Sequence, residues 1–345
     1  MCTVCAHGLS AVLSESPFVG GMYSVILAVE KLAAAGVRLD HIYLSLQQFF
    51  TRTADSEKWG AHMSATLGAL TAQLNLKRAA IGCNDYISEV SEKGVPPTLI
   101  AFGLGVADSA VVVDNAFKSG GERVYRYRLK RDEYGVPDFE NLGDFLMLLA
   151  GEIGRQNVTT AAVVERGGAV ATVAKSCFGG GFGFAFASTD RNLFEESEGD
   201  IIFSARTGDD FFGYDLDFLG LTTEEPDFLF GASITSTAEG TDVVYDGKRV
   251  EGVKMLDSFI RTLEEVYPTT AKADGDVHNA DYAGKGGKRK RAKSKPQGVK
   301  VFIPVFEGTT GEIETARKFE LAGAQPQIFV VRNRNKNDIE ECGQA

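Results

Sequence analysis

Cysteine, histidine, tryptophan and positive charge are all scarce in this sequence. Five cysteines, at positions 2, 5, 83, 177 and 342, are too few and too scattered for a disulfide framework. They read as reduced thiols of a soluble, cytoplasmic protein. Four histidines, at 7, 41, 62 and 278, leave little material for acid–base chemistry near neutral pH. Lys and Arg number 36 against 47 Asp and Glu, a formal net charge of -11. That balance argues against a general nucleic-acid binder, because phosphate contacts need a positive surface. No apolar run approaches the ~20 residues needed to span a bilayer. The start, MCTVCAHGLSAVLSESPF, lacks the basic segment and unbroken apolar core of an export signal. A G-x-S-x-G elbow, an HExxH pair and a Walker phosphate loop are all missing.

What remains is a chain of 345 residues, 44% hydrophobic and 24% charged, long enough for two or three domains with real cores. Residues 20–35 are rich in Ala, Leu and Val and stop at Gly36, the pattern of a helix with a glycine end. In HIYLSLQQFF, Ile42, Leu44 and Leu46 alternate with polar neighbours and predict a half-buried strand. From Lys58 the period changes, and Trp59, Met63, Leu67, Leu70 and Leu74 fall on one face of a helix. Short apolar stretches follow at 79–81 and 98–106. A second unit begins near Asp108, with strands expected at 124–129, 184–187 and 201–205. Its helices are expected from about Leu142, over 168–178 and over 253–266. Alternation of helix and strand makes the class mixed α/β.

Residues 268–298 hold many Gly, Asp and Lys and almost no large apolar side chains, so they cannot offset the entropy of folding and read as a linker. Its basic run from Lys285 to Lys295 has the composition of a nucleic-acid patch, but acidic flanks such as Asp274 and Asp276 and the lack of aromatics favour a solvated linker. VKVFIPVF, 312–321 and QIFVVRN then read as strand, helix and strand of a parallel α/β unit. A lone β-α-β of this size cannot cover both faces of its sheet, so the unit is expected to be truncated.

Three local motifs have competing readings. Cys2, Cys5 and His7 offer metal-type ligands, but a structural zinc site needs four, and no second pair exists in the sequence; no metal is expected there. The glycines at 179, 180, 181 and 183 follow a helix, which suits a C-terminal cap better than a phosphate loop. Gly167 and Gly168 precede a helix, where backbone amides can meet a phosphate.

Several stretches, in order, carry a family resemblance. SESPFVGGMYSVILAVEKLAAAG resembles a segment following an "SPYHG" turn. LSLQQFFTRTADSEKWGAHMSATLGALTAQLNLKRAAIGCND resembles a run from "FQEYF" through a "WG" helix into "GGKDSMSG". VPPTLIAFG, GRQNVTTAAVVERGGAVATVAKSCFGGGFGF, LEEVYPT and VFIPVFEGTTGEIETARKFELAG follow collinearly, the last being similar to "PVFPGTNCEYDTARAFE". Together they resemble the large single-chain phosphoribosylformylglycinamidine synthases, over their second synthetase-like half and the start of their glutaminase domain. The resemblance covers nearly the whole chain apart from the basic linker.

It implies aminoimidazole ribonucleotide synthetase-like N and C domains at 1–107, incomplete at its start, and 108–267. A linker at 268–298 and a partial class I glutaminase-like α/β unit at 299–345 complete the expectation. It also implies ATP-dependent amidation of formylglycinamide ribonucleotide with glutamine-derived ammonia, using ATP or ADP and Mg2+. The nucleotide-binding candidates are Asp85, Ser88, Gly167 and Gly168. Each has a structural alternative: a turn for the first two, close packing for the glycines. No catalytic residue is assigned.

The chain departs from the family where chemistry matters. The lysine of "GGKDSMSG" is Asn84, the glutamate of "FQEYF" is Gln48, and a helix carboxylate is Leu27. The stretch Gly308 to Glu312 lacks the cysteine sometimes found there, Cys342 lies on the wrong segment to replace the nucleophile, and the glutaminase elbow has no counterpart. Three readings therefore stay open. One is an enzyme that works when joined to the missing synthetase half and glutaminase. A second is a non-catalytic scaffold or regulator, or a homo-oligomer, with an open sheet seeking a partner. The third is a nucleic-acid-associated protein acting through the basic run.

Overall fold

The computed structural model describes residues 1–51, 56–88, 95–187, 193–206, 208, 211, 213–237, 240–270, 298–306, 309–332 and 335–344. The chain forms two compact units, Met1–Thr269 and Thr270–Ala345. Along the first unit run β1 (Cys2–Gly8), α1 (Pro17–Ala34), β2 (Ile42–Thr51), α2 (Ser56–Leu76), β3 (Ala80–Ser88) and β4 (Thr98–Ala107). Then come β5 (Arg123–Tyr127), α3 (Phe139–Gly154), β6 (Val158–Val163), α4 (Gly168–Gly180), β7 (Gly183–Phe186) and β8 (Ile201–Ala205). The unit closes with β9 (Leu216–Thr223), β10 (Asp227–Thr237), β11 (Gly240–Glu251) and α5 (Gly252–Ile260). In the second unit are β12 (Lys300–Val305), α6 (Glu312–Ala322), β13 (Gln325–Val330) and α7 (Lys336–Gln344). The basic run 285–295 and most of the expected linker lie outside the described residues.

The first sheet has strand order β1-β4-β2-β3. The amino terminus is an edge strand paired antiparallel with β4 from Cys2↔Ala107 to Gly8↔Ala101. Val4 and Ala6 point to the core side and anchor it. Helix α1 is apolar nearly all round, as a helix enclosed by protein should be. By length and composition alone it could cross a membrane, but 78% of it is buried, so it is a core helix. Gly36 ends it in the left-handed conformation, with φ 93°.

The apolar stripe of α2 is not the face that the protein buries. The buried positions are His62, Ala65, Gly68, Ala69, Ala72 and Leu76. Small residues win because α1 and α2 approach at backbone distance. A Cβ added at Gly68 would stand 1.8 Å from the Phe18 carbonyl oxygen, and one at Gly21 2.1 Å from that of Ala65.

The second sheet has order β11-β10-β7-β9-β5-β8-β6 and is antiparallel except where β7 meets β10. One core runs from α1 and the first sheet through α3 to β5, β6 and β8, so both sheets belong to the same unit. Its centre is aromatic, with Tyr127 stacked on Phe145 at 3.7 Å and Phe203 and Phe211 beside them. A smaller cluster of Phe184, Phe186 and Phe228 lies with the residues of α4.

Strands β9, β10 and β11 have no clear trace in the sequence pattern. Gly231, at φ 82°, makes a bulge between Phe230 and Ala232 that breaks the two-residue period. Helix α5 is shorter than the expected 253–266, and only hydrogen-bonded turns continue it to Tyr267.

In the second unit β12 and β13 are parallel in register from Lys300↔Gln325 to Val305↔Val330, with α6 between them in the chain. This is the expected β-α-β order. Helix α7 was not anticipated; its Cys342 Sγ lies 3.2 Å from the Arg332 amide.

Candidate functional site

Asp85 lies on β3, the outer strand of the first sheet, in register with Gln48. Its Oδ2 is 3.8 Å from His62 Nε2 on α2, and its Oδ1 is 3.5 Å from the Cys83 thiol. His62 is buried against the rings of Phe50 and Trp59, and neither of its ring nitrogens has a hydrogen-bond partner among the described residues. Burial pushes the Cys83 thiol above its usual range; the Gln48 amide opposes that shift and the Asp85 charge adds to it.

Gln48 stands where the family resemblance calls for a carboxylate. It is buried, its Nε2 donates to Cys83 Sγ at 3.3 Å, and its Oε1 accepts from Thr66 Oγ1 at 3.1 Å. Both ends of the amide are therefore used inside the protein. Leu27 is fully buried in the α1 core. Asn84 precedes Asp85 on β3, in register with Gln47, and Ser88 ends the strand opposite Thr51. Asp85 and Ser88 thus share one strand.

Gly167 and Gly168 stand at the start of α4. Both are left-handed, with φ 88° and 70°. Packing accounts for Gly168: an added Cβ would lie 2.6 Å from the Glu195 carbonyl oxygen and 3.0 Å from that of Leu193. Lys31 Nζ bridges the His7 carbonyl at 2.9 Å and Glu165 at 2.8 Å, which ties the turn before α4 to β1. Asp85 and Ser88 lie on β3, and the two glycines at the start of α4. The glycines from 179 onward form a helix end, with Gly181 left-handed and its N–H bonded to Cys177 O.

A phosphate-bound Mg2+ normally takes one or two protein carboxylates and keeps several waters. Asp85 is half-exposed and could offer one. Gln48, whose oxygen is occupied, and Leu27 offer none, and Asn84 is uncharged where the resemblance calls for a lysine. Among the described residues no group of three or more His, Cys, Asp and Glu could hold a metal ion. Of the positions compared, Asp85 alone offers a carboxylate to a Mg-nucleotide.

Sequence reasoning missed a buried charge cluster between α1 and the second sheet. Arg126 is buried and donates through Nε to Asp200 at 2.7 Å and through its NH2 nitrogen to Ser197 at 2.9 Å. Asp200 also accepts from the Leu129 amide at 3.0 Å, and Arg131 Nε donates to Tyr23 Oη at 2.7 Å. Glu30 is fully buried with both carboxyl oxygens unpartnered among the described residues. Burial drives its pKa well above the ordinary carboxylate value; Arg131 opposes and Asp200 adds. Burial likewise pushes Tyr23 up to about 12. Charged residues in a sequence give no sign that they will be enclosed.

Two further surfaces lie away from these residues. A cavity of about 820 Å³ lies between the end of α2 and α3, lined by charges of both signs, including Arg38, Asp40, Glu140 and Asp144. It contains none of the predicted site residues. The face of the first sheet away from α1 exposes Tyr43, Phe102 and Leu104, with Tyr43 opposite Leu104 and His7 opposite Phe102.

No model of a protein family matches this chain, and no curated protein matches it in sequence. Solved structures are similar in fold. Phosphoribosylformylglycinamidine synthase II of Thermotoga maritima gives a TM-score of 0.54 at 14% identity, over 73% of this chain and 44% of that one. Its ATP complex, under the name PurL, gives 0.53 at 15% identity over 73% and 44%. HypE of E. coli, a hydrogenase maturation protein, gives 0.51 at 12% identity over 73% of this chain and 88% of that one. The chain spans less than half of the T. maritima protein. At these identities the likeness shows the fold, which is the synthetase-like fold expected.

Proposed function

We propose that this chain is a divergent member of the phosphoribosylformylglycinamidine synthase family that acts as a supporting synthetase-like half, not as the half that carries Mg-ATP. The observation behind this is Gln48. A residue whose amide is held at both ends by Thr66 and Cys83 is a packing element of the sheet, where chemistry would need a free anion. Leu27 and Asn84 agree with it. The T. maritima protein is known in complexes with ATP, ADP and FGAR, which supports reading the fold as that of an ATP-using synthetase.

On this proposal the assembly performs the family's reaction. ATP activates the amide oxygen of formylglycinamide ribonucleotide, and ammonia from glutamine displaces the phosphate. A second synthetase half supplies the nucleotide site and a glutaminase supplies ammonia. The open face of the first sheet, with Tyr43, Phe102 and Leu104, is the surface offered to that second half, since exposed apolar sheet faces favour association. The divisions at 107/108 and 267/268, the glutaminase-like reading of 299–345 and a cytoplasmic location belong to the same proposal.

The test is phosphate release by the purified chain with ATP, Mg2+, formylglycinamide ribonucleotide and an ammonium salt, which bypasses any glutaminase. No substrate-dependent phosphate is expected. Substrate-dependent release that disappears in Asp85→Ala would return the chain to the catalytic half.

A further inference from the structure

Helix α2 presents an apolar stripe that the fold leaves open. Trp59, Met63, Leu67, Leu70 and Leu74 are 45–68% exposed, although their spacing is that of a packing face. From Met63 onward the steps are four, three and four residues, the 3.5-residue period of a helix–helix seam. Between Lys58 and Lys77 there is no charged residue at all. A solvated helix face would carry several. The opposite face is closed by α1, as the Gly68 and Gly21 approaches show, so the stripe is a second, independent contact surface.

The geometry points to a second copy of this chain as the occupant, bound through α2 packed antiparallel on α2 about a twofold axis. The stripe complements itself in that direction. Placing Trp59 against Leu74 of the other copy puts Met63 against Leu70 and brings Leu67 beside its own counterpart, so every large side chain meets another. At the ends, Lys77 and Arg78 of one copy arrive beside Glu57 and Lys58 at the start of the other's α2. The positive end of each helix dipole meets the negative end of its mate. Half-exposed side chains of this size offer on the order of 500 Å² of apolar surface per copy, against about 800 Å² for a standard interface. A small, reversible dimer follows.

Sedimentation equilibrium over a range of concentrations tests this with the full chain of 37.1 kDa. The expected result is a concentration-dependent species of twice that mass. Leu70→Lys and Met63→Glu, both at exposed positions, each raise the dimer dissociation constant at least about tenfold by placing a charge in the apolar seam. The double variant M63E/L70K restores the dimer, because the antiparallel register then sets each new Glu against a new Lys. Circular dichroism of each variant confirms that α2 is intact. A monomer at every concentration overturns the inference, including one whose stripe is covered by residues 270–345 of the same chain. So does a dimer that ignores Leu70→Lys and is lost on Phe102→Lys, which would seat the contact on the open sheet. Failure of the double variant to restore association overturns the antiparallel register.

Discussion

Gly68 is the position where the α1–α2 packing can be tested most sharply. Replacing a mid-helix glycine with alanine ordinarily stabilises a helix by up to about 1 kcal/mol through lower unfolded-state entropy. Gly68→Ala must do the reverse. Its new Cβ would lie 1.8 Å from the Phe18 carbonyl oxygen and 2.8 Å from the carbonyl carbon, both backbone atoms that cannot rotate away. The helices must part by more than about 1 Å, which loosens every contact along their shared face. Overpacking of this kind costs about 1–3 kcal/mol and removes the propensity gain, a net loss of about 2 kcal/mol. For a unit of this size each kcal/mol moves the melting temperature by about 2–4 °C, so a fall of about 4–8 °C is expected. Gly151→Ala in α3 is the control. No atom lies within 4 Å of its added Cβ, and its melting temperature should rise by about 1–3 °C. Thermal unfolding followed by circular dichroism reads both. A Gly68→Ala variant as stable as the Gly151→Ala variant would refute the close approach.

Other groups yield further expectations. Glu30 titrates above its unfolded value, so ionising it costs stability as pH rises. The loss begins above the ordinary value of 4.5 and is complete above the folded-state value. Glu30→Gln should therefore match the natural chain at acid pH and exceed it increasingly toward alkaline pH in urea midpoints; a pH-independent difference would contradict the buried carboxyl. Arg126→Met removes one partner of the enclosed pair with Asp200 and should cost about 3–5 kcal/mol. A loss under about 1 kcal/mol in denaturant unfolding would show that the pair is hydrated. Burial holds the Cys177 thiol up at about 12, so a thiol reagent should label exposed Cys5 in the folded chain and reach Cys177 only on unfolding. Mass spectrometry showing early Cys177 labelling would argue against the second core cluster.

The parts of the fold that sequence makes visible are those where one period or one composition runs unbroken. Helix α1 with its stop at Gly36, strand β2 and the β-α-β of the second unit are of this kind. Strands β9 to β11 hide because a bulge at Gly231 interrupts the alternation. The existence of α2 is plain from its periodicity, but its orientation is not. Periodicity reports that two faces differ, whereas the choice of buried face went to the small residues that let backbones touch. At the candidate site the losses at Gln48, Asn84 and Leu27 are legible, since a missing charge can be read directly. That Gln48 is locked by Thr66 and Cys83 depends on which helix and strand lie beside β2, which no local pattern encodes. The Glu30–Arg126–Asp200 cluster joins residues up to 170 positions apart in the chain and leaves no local signal.

Calorimetric titration of the folded chain with Mg-ATP and Mg-ADP tests the central claim most directly. A supporting half whose anion and cation positions have become Gln48, Leu27 and Asn84 should give no heat of binding with either nucleotide. Micromolar binding that vanishes in Asp85→Ala would contradict that account and place a working nucleotide site on the edge of the first sheet.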